Sequence, residues 1–166
     1  PIPGEFAWNA IGITQATASS INNAGQASET STAAGNGLCN YGGGAGAGPL
    51  RCGFAAGAAT NKAQAGGAWY GVMEMSGNVW EQCVGGYNSN YSAFTNACGD
   101  GTLTAAGLAN TPNWPTLGGG NGGGGVLRGG SYGDAAIYLT ISDCVQMTNN
   151  ANQNRNNPSV GGRGVR

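Results

Sequence analysis

Glycine occupies 34 of the 166 positions, and with Asn, Ser and Thr it interrupts nearly every window long enough to build an amphipathic helix. No long stretch keeps apolar residues at i, i+3 and i+4, and the best short-helix window is residues 91–96. Strand windows are short and bounded by glycine: residues 78–83, 125–128, 138–142 and 161–166. The expectation is a small sheet surrounded by long loops, folded as one domain over residues 1–166. A core is affordable because 40% of residues are hydrophobic, with four Trp, six Tyr and three Phe. Trp8, Trp69, Trp80 and Tyr132 are expected in that core. The opening "PIPGEFAW" reads as the interior of a domain, so a preceding N-terminal part is expected.

Charge and residue absences narrow the chemistry. Only 8% of residues are charged and the net charge is −1, which leaves no basic footprint for nucleic acid and no acidic tail. Histidine is absent, which removes Ser-His-Asp and Cys-His nucleophile activation, histidine acid-base chemistry and histidine metal ligation. The five cysteines, Cys39, Cys52, Cys83, Cys98 and Cys144, contain no CxxC pair. Disulfides fit this pattern better than zinc. Cys39 with Cys52 and Cys83 with Cys98 would each close a loop of roughly a dozen residues, leaving Cys144 odd, although sequence alone does not fix connectivity. With few Lys and many Asn, Ser, Thr and Gly, this favours an oxidising, extracellular setting. No apolar run reaches membrane-spanning length. The glycine tracts at residues 41–48 and 117–125 lack a following Lys-Ser/Thr or helix, and read as loops, not phosphate cradles.

Three segments taken in order carry a family resemblance: "YGVMEMSGNVWE" at residues 70–81, "VLRGGSY" at 126–132 and "NNPSVGGRGVR" at 156–166. Together they resemble the formylglycine-generating-enzyme (sulfatase-modifying factor) domain family, whose signature is a G-N-V-W-E turn, an R-G-G-S-aromatic strand and a terminal G-F-R. Here Gly162 replaces the phenylalanine of the last motif. "GEFAW" resembles the family's segment preceding a glycine loop, while "GPLRCG", "CGDG" and "NTPNWP" resemble a secreted bacterial branch. The resemblance implies an α+β, C-type-lectin-like fold with much irregular structure around a small antiparallel sheet. Arg128 in "RGGSY" is expected to bond several carbonyls of neighbouring loops, with Arg163 and Arg166 as further structural clamps.

The resemblance also implies a calcium ion under the G-N-V-W-E turn, held by Glu74, the carbonyls of Gly77 and Val79, and Glu81. The donor chemistry agrees, because Ca²⁺ takes six to eight oxygens and two carboxylates interleaved with carbonyls suit a hard cation. The residues alone leave another arrangement open, with Glu74 solvated and Glu81 paired with an arginine such as Arg128. A second family calcium site would involve the Asn22–Asn23 region and an acidic or Asn partner downstream, for which no clean acidic match is present. The copper of the family's oxidases is held by two cysteines after the R-G-G-S-aromatic strand, and those positions here are Asp134 and Leu139. A carboxylate and a leucine do not bind Cu(I).

These readings lead to a non-catalytic extracellular module, acting in surface adhesion or as a subunit of an extracellular assembly or filament. The alternative is a copper-dependent formylglycine-generating oxidase. Expected partners are other copies of the chain, other surface proteins or glycans, with no nucleic acid and no membrane span. The asparagine-rich stretch containing Asn149, Asn150, Asn152, Asn154, Arg155 and Asn156 is a candidate ligand surface, and equally an ordinary solvated loop.

Overall fold

The computed structural model describes residues 2–46, 48–84, 105, 125–143 and 158–161. The short-helix window at 91–96, Cys98, Cys144, Arg163, Arg166 and the candidate ligand residues Asn149, Asn150, Asn152, Asn154, Arg155 and Asn156 lie outside the described residues.

The main sheet is assembled from the three sequence motifs. Strand β5 (Trp80–Val84) lies in the middle, β6 (Gly125–Arg128) pairs with it antiparallel, and β7 (Val160–Gly161) pairs with it parallel. In this register Glu81 stands opposite Arg128, Trp80 opposite Val160, and Glu81 opposite Gly161. Segments far apart in the chain thus meet on one strand. Trp80 and Leu127 are buried together, with Tyr138 and Val160 packed against them.

Two smaller pairs build the other half. Strand β1 (Thr14–Gln15) runs parallel to β4 (Leu38–Cys39), and β2 (Ile21–Asn22) runs antiparallel to β3 (Thr30–Ser31). Successive residues of a strand point to opposite faces. Strand β4 uses this to serve two apolar clusters, since Leu38 packs with Ala16, Phe54 and Ala55 while Cys39 packs with Phe6, Trp8 and Leu139. Phe6 and Trp8 stack with centroids 5.0 Å apart, and the buried Trp8 Nε1–H donates to the Gly12 carbonyl at 2.9 Å.

Helical structure among the described residues is confined to 3₁₀ turns at Ala18–Ser20, Phe54–Ala56 and Ala136–Leu139. The last replaces the strand expected at residues 138–142. Its backbone closes locally, with Tyr138 N–H donating to the Ala135 carbonyl and Thr140 Oγ1 to the Ile137 carbonyl. The carbonyls that follow are taken by Arg128, whose guanidinium donates to Ile141 and Asp143. That is the clamping role expected of Arg128. Trp69 also departs from expectation: it is 72% exposed.

The hub of this loop-rich body is Asn78. Its Nδ2 donates to the Leu50 carbonyl at 2.8 Å and its Oδ1 accepts the Leu50 N–H at 2.7 Å, so the amide pairs with Leu50 as a strand neighbour would. Its own N–H donates to the Asn40 carbonyl and its carbonyl accepts the Tyr132 N–H. Asn78 holds φ at 67°, a left-handed conformation that Asn tolerates better than other side-chain-bearing residues. Asn78→Ala should lower unfolding free energy by about 3 kcal/mol, as it strands two backbone groups of Leu50 and strains the backbone. Asn78→Gly, which relieves the strain but not the lost bonds, should recover about 1 kcal/mol of that in denaturant titrations.

Candidate functional site: a buried carboxylate turn

The turn preceding β5 carries the acidic residues singled out in the sequence. Glu74 is 4% exposed and Glu81 is 6% exposed, so both carboxylates are inside the protein. Glu74 sits at φ 63°, a left-handed conformation that costs a non-glycine residue roughly 1 kcal/mol or more. Its Oε1 accepts the Gly53 N–H at 3.2 Å, which ties the turn to the start of the Phe54–Ala56 element. Ser76, also buried, accepts the Ala7 N–H on its hydroxyl, and its carbonyl accepts the Cys39 thiol at 2.7 Å.

Two glycines let backbone and carboxylate close up. Gly77, at φ 81°, donates its N–H to the Gly129 carbonyl at 2.6 Å, and a Cβ there would run into Cys39 Sγ and the Asn40 carbonyl. Gly129, at φ 91°, leaves a space that a Cβ would fill, bounded by Glu81 Oε2 and by the Met75 carbonyl 3.0 Å from that Cβ position. Glu81 and Arg128 are cross-strand neighbours, as the alternative arrangement has them, but its solvated Glu74 is corrected: that carboxylate is buried.

By donor type alone, the residues that the resemblance implies as ligands would suit a hard cation. They are two buried carboxylates and the carbonyls of Gly77 and Val79, all oxygen, with the Gly77 carbonyl also accepting the Val79 N–H at 2.9 Å. Among the described residues no group of three or more His, Cys, Asp or Glu side chains is placed to hold a metal, so main-chain oxygens would have to complete any site here. Nearby, Asn40 is fully buried, donates Nδ2 to Asn78 Oδ1 and to the Gly48 carbonyl, and leaves Oδ1 without a partner among the described residues. Such an orphaned acceptor is ordinarily met by ordered water or a cation.

Both copper-position residues are engaged in structure. Asp134 Oδ2 accepts the Ser131 N–H at 2.9 Å and also the Ser131 hydroxyl, while the Asp134 N–H returns to the Ser131 carbonyl. Leu139 is 1% exposed in the Phe6–Trp8–Cys39 cluster. The expected bridges are corrected: Cys39 is a free buried thiol and Cys83 a free exposed one, so neither Cys39–Cys52 nor Cys83–Cys98 forms. Sequence spacing measures loop length, whereas a bridge needs the Cα atoms within about 7 Å and facing Cβ vectors.

Sequence reasoning also missed a second buried carboxylate staple. Glu29, 3% exposed, accepts the N–H groups of Gly25 and Arg51 and so joins two loops. Asn78 lay within the quoted motif, and its place beside a glycine was the one available signal. Nothing in the sequence marks Asn40.

Burial pushes the Cys39 thiol well above its ordinary value of 9.0, and the charges of Glu74 and Glu81 push it further. The native state therefore keeps a proton that the unfolded chain loses near pH 9. Its stabilising effect is fully present below that pH and is lost as pH rises above it, at up to about 1.4 kcal/mol per pH unit. Tyr41 and Cys83 shift upward too, but both are more open to solvent. Thermal midpoints of the wild type should fall more steeply between pH 9 and 10.5 than those of Cys39→Ala, whose alkaline slope isolates this one proton.

No curated protein and no solved structure matches this chain. Among the described residues no helix is long and apolar enough to cross a membrane. One family model does match, that of the sulfatase-modifying factor enzyme 1-like domain, over residues 10–166. The match takes in the carboxylate turn, the R-G-G-S-Y strand and β7, which the fold gathers into one sheet, and it carries the lectin-like fold with which the small sheets and irregular loops agree. The chain belongs to the formylglycine-generating-enzyme (FGE-sulfatase) domain family.

Proposed function

We propose that this member of the family is a non-catalytic extracellular module, serving surface adhesion or an extracellular assembly, and not a copper-dependent formylglycine-generating oxidase. The observation that carries the reading is the use made of the two copper positions. Asp134 closes its own turn on Ser131, and Leu139 fills the core. Neither offers a soft donor. Cys39 packs beside Leu139, yet its thiol is held protonated by burial and by two neighbouring carboxylates, the opposite of a copper-ready thiolate. With Cys39 and Cys83 as thiols, the extracellular placement rests on composition, few Lys with many Asn, Ser, Thr and Gly, while the scarcity of charge bears on assembly. That scarcity leaves little repulsion between copies, which suits a packed assembly.

Calcium has a structural place in this reading. Glu74 and Glu81, with the carbonyls of Gly77 and Val79, would hold it through oxygens of the kind a hard cation takes. An ion that binds only the native state adds about 2.7 kcal/mol at a hundredfold excess over its Kd. Chelation should therefore lower the thermal midpoint by about 5–10 °C, and Glu81→Gln should melt at the chelated temperature with no further response to chelator. Unchanged melting in both experiments would remove the ion from the account.

The catalytic question has a direct assay. The purified protein, loaded with Cu(I) and given a peptide carrying the sulfatase-type cysteine motif in the presence of O₂, should yield no aldehyde above a metal-only control by mass spectrometry. Turnover above that control would restore the oxidase.

A further inference from the structure

The loop at Ala68 to Val72 is a tight three-residue turn. The Gly71 N–H donates to the Ala68 carbonyl at 2.8 Å, the Ala68 N–H donates to the Val72 carbonyl at 2.9 Å, and Gly71 takes φ 79°. This is the pattern of a turn followed by a glycine bulge, whose central positions accept most residues, with Pro favoured at the first. Here they hold Trp69 and Tyr70, exposed to 72% and 91%. Neither ring contributes to the core clusters, and the turn does not require them. An aromatic pair placed on solvent, serving neither the core nor the turn, points to a ligand.

The pair is held ready. Lys62 Nζ lies 4.7 Å from the Trp69 ring centroid and donates to the Trp69 carbonyl at 2.7 Å, which fixes the indole from one side. The base of the turn is anchored by the Gly67 N–H on the Lys62 carbonyl and by Met73, which packs on the Leu38–Phe54 cluster. We propose that Trp69 and Tyr70 form a carbohydrate-binding platform for a pyranose ring, with Lys62 beside it to donate to the sugar's oxygens.

Size and charge select that occupant. Two rings of this kind present roughly 300–400 Å² between them, well short of the ~800 Å² per partner of a stable protein interface. A sugar ring matches the scale. Its C–H face is complementary to the negative face of an aromatic ring, and its hydroxyls accept from a lysine that has two N–H donors beyond the one given to Trp69. Among the described residues Lys62 is the charge set against the Trp69 ring, so the site suits a neutral or weakly anionic ligand.

The inference rests on the binding-module reading, and the experiment separates the two. Cellotetraose, chitotetraose, maltotetraose and a β-galactan tetrasaccharide are titrated by calorimetry into the wild type, Trp69→Ala, Tyr70→Ala and the double variant. At least one sugar should bind the wild type saturably, each single variant should weaken it about tenfold or more, and thermal midpoints should not move because both rings are exposed. Binding that survives in the double variant would overturn the platform while leaving a sugar-binding module. No heat from any of the four at about 10 mM would overturn the platform outright. If, in addition, the double variant dissolved oligomers seen for the wild type by light scattering, the rings would be a contact between copies, and the assembly half of the functional reading would stand.

Discussion

The structure depends on one side chain's ability to act as backbone. Asn78 offers an amide donor and acceptor to Leu50, 28 residues away in sequence, while its main chain reaches Asn40 on one side and Tyr132 on the other. A chain so rich in glycine loses much conformational entropy on folding and has few long elements to recover it. Its loops must be fixed by bonds between segments. Around Asn78, the Gly77 N–H reaches Gly129 and the Trp80 N–H reaches Ser159, so one short turn touches four distant stretches of chain. Arg128 and Glu29 repeat the device, each joining loops through main-chain groups.

The carboxylate turn is the consequence. To bring Asn78 into position, the chain passes through left-handed conformations at Glu74, Gly77 and Asn78 and carries Glu74 and Glu81 below the surface. Buried carboxylates are tolerated when hydrogen-bonded, ion-paired or metal-bound. Burial raises the Cys39 thiol and the two carboxylates raise it further, so the polar interior and the apolar cluster containing Leu139 are electrostatically linked. At the two positions that the resemblance implies for copper cysteines, this chain has a turn-closing aspartate and a core leucine.

How much of this was legible in the sequence depends on the range of the interaction. The three motifs were readable because their residue types are demanded locally: glycines where the backbone closes, Trp80 where a strand enters the core. Strand β6 appears at residues 125–128 as expected, and Arg128 clamps loop carbonyls as its chemistry required. Residues 138–142 misled because a short apolar run does not distinguish a strand from a 3₁₀ turn when the neighbouring carbonyls are captured by an arginine. Trp69 misled because residue type speaks to average burial, whereas its place on the Ala68 to Val72 turn decides it. The disulfides misled because loop length says nothing of Cα distance. The Asn78–Leu50 pairing and the Asn40 amide had no local signal at all.

The turn at Asn78 is the point at which the separate loops become one cooperative structure. Native-state hydrogen exchange tests it directly, by following the amides of Leu50, Asn78, Trp80 and Tyr132 as denaturant is raised. These four should open together, with protection free energies converging on that of global unfolding. If the Leu50 amide instead exchanges at the rate of an open loop while Trp80 in the sheet stays protected, the side-chain clamp does not hold the fold together and the account is wrong.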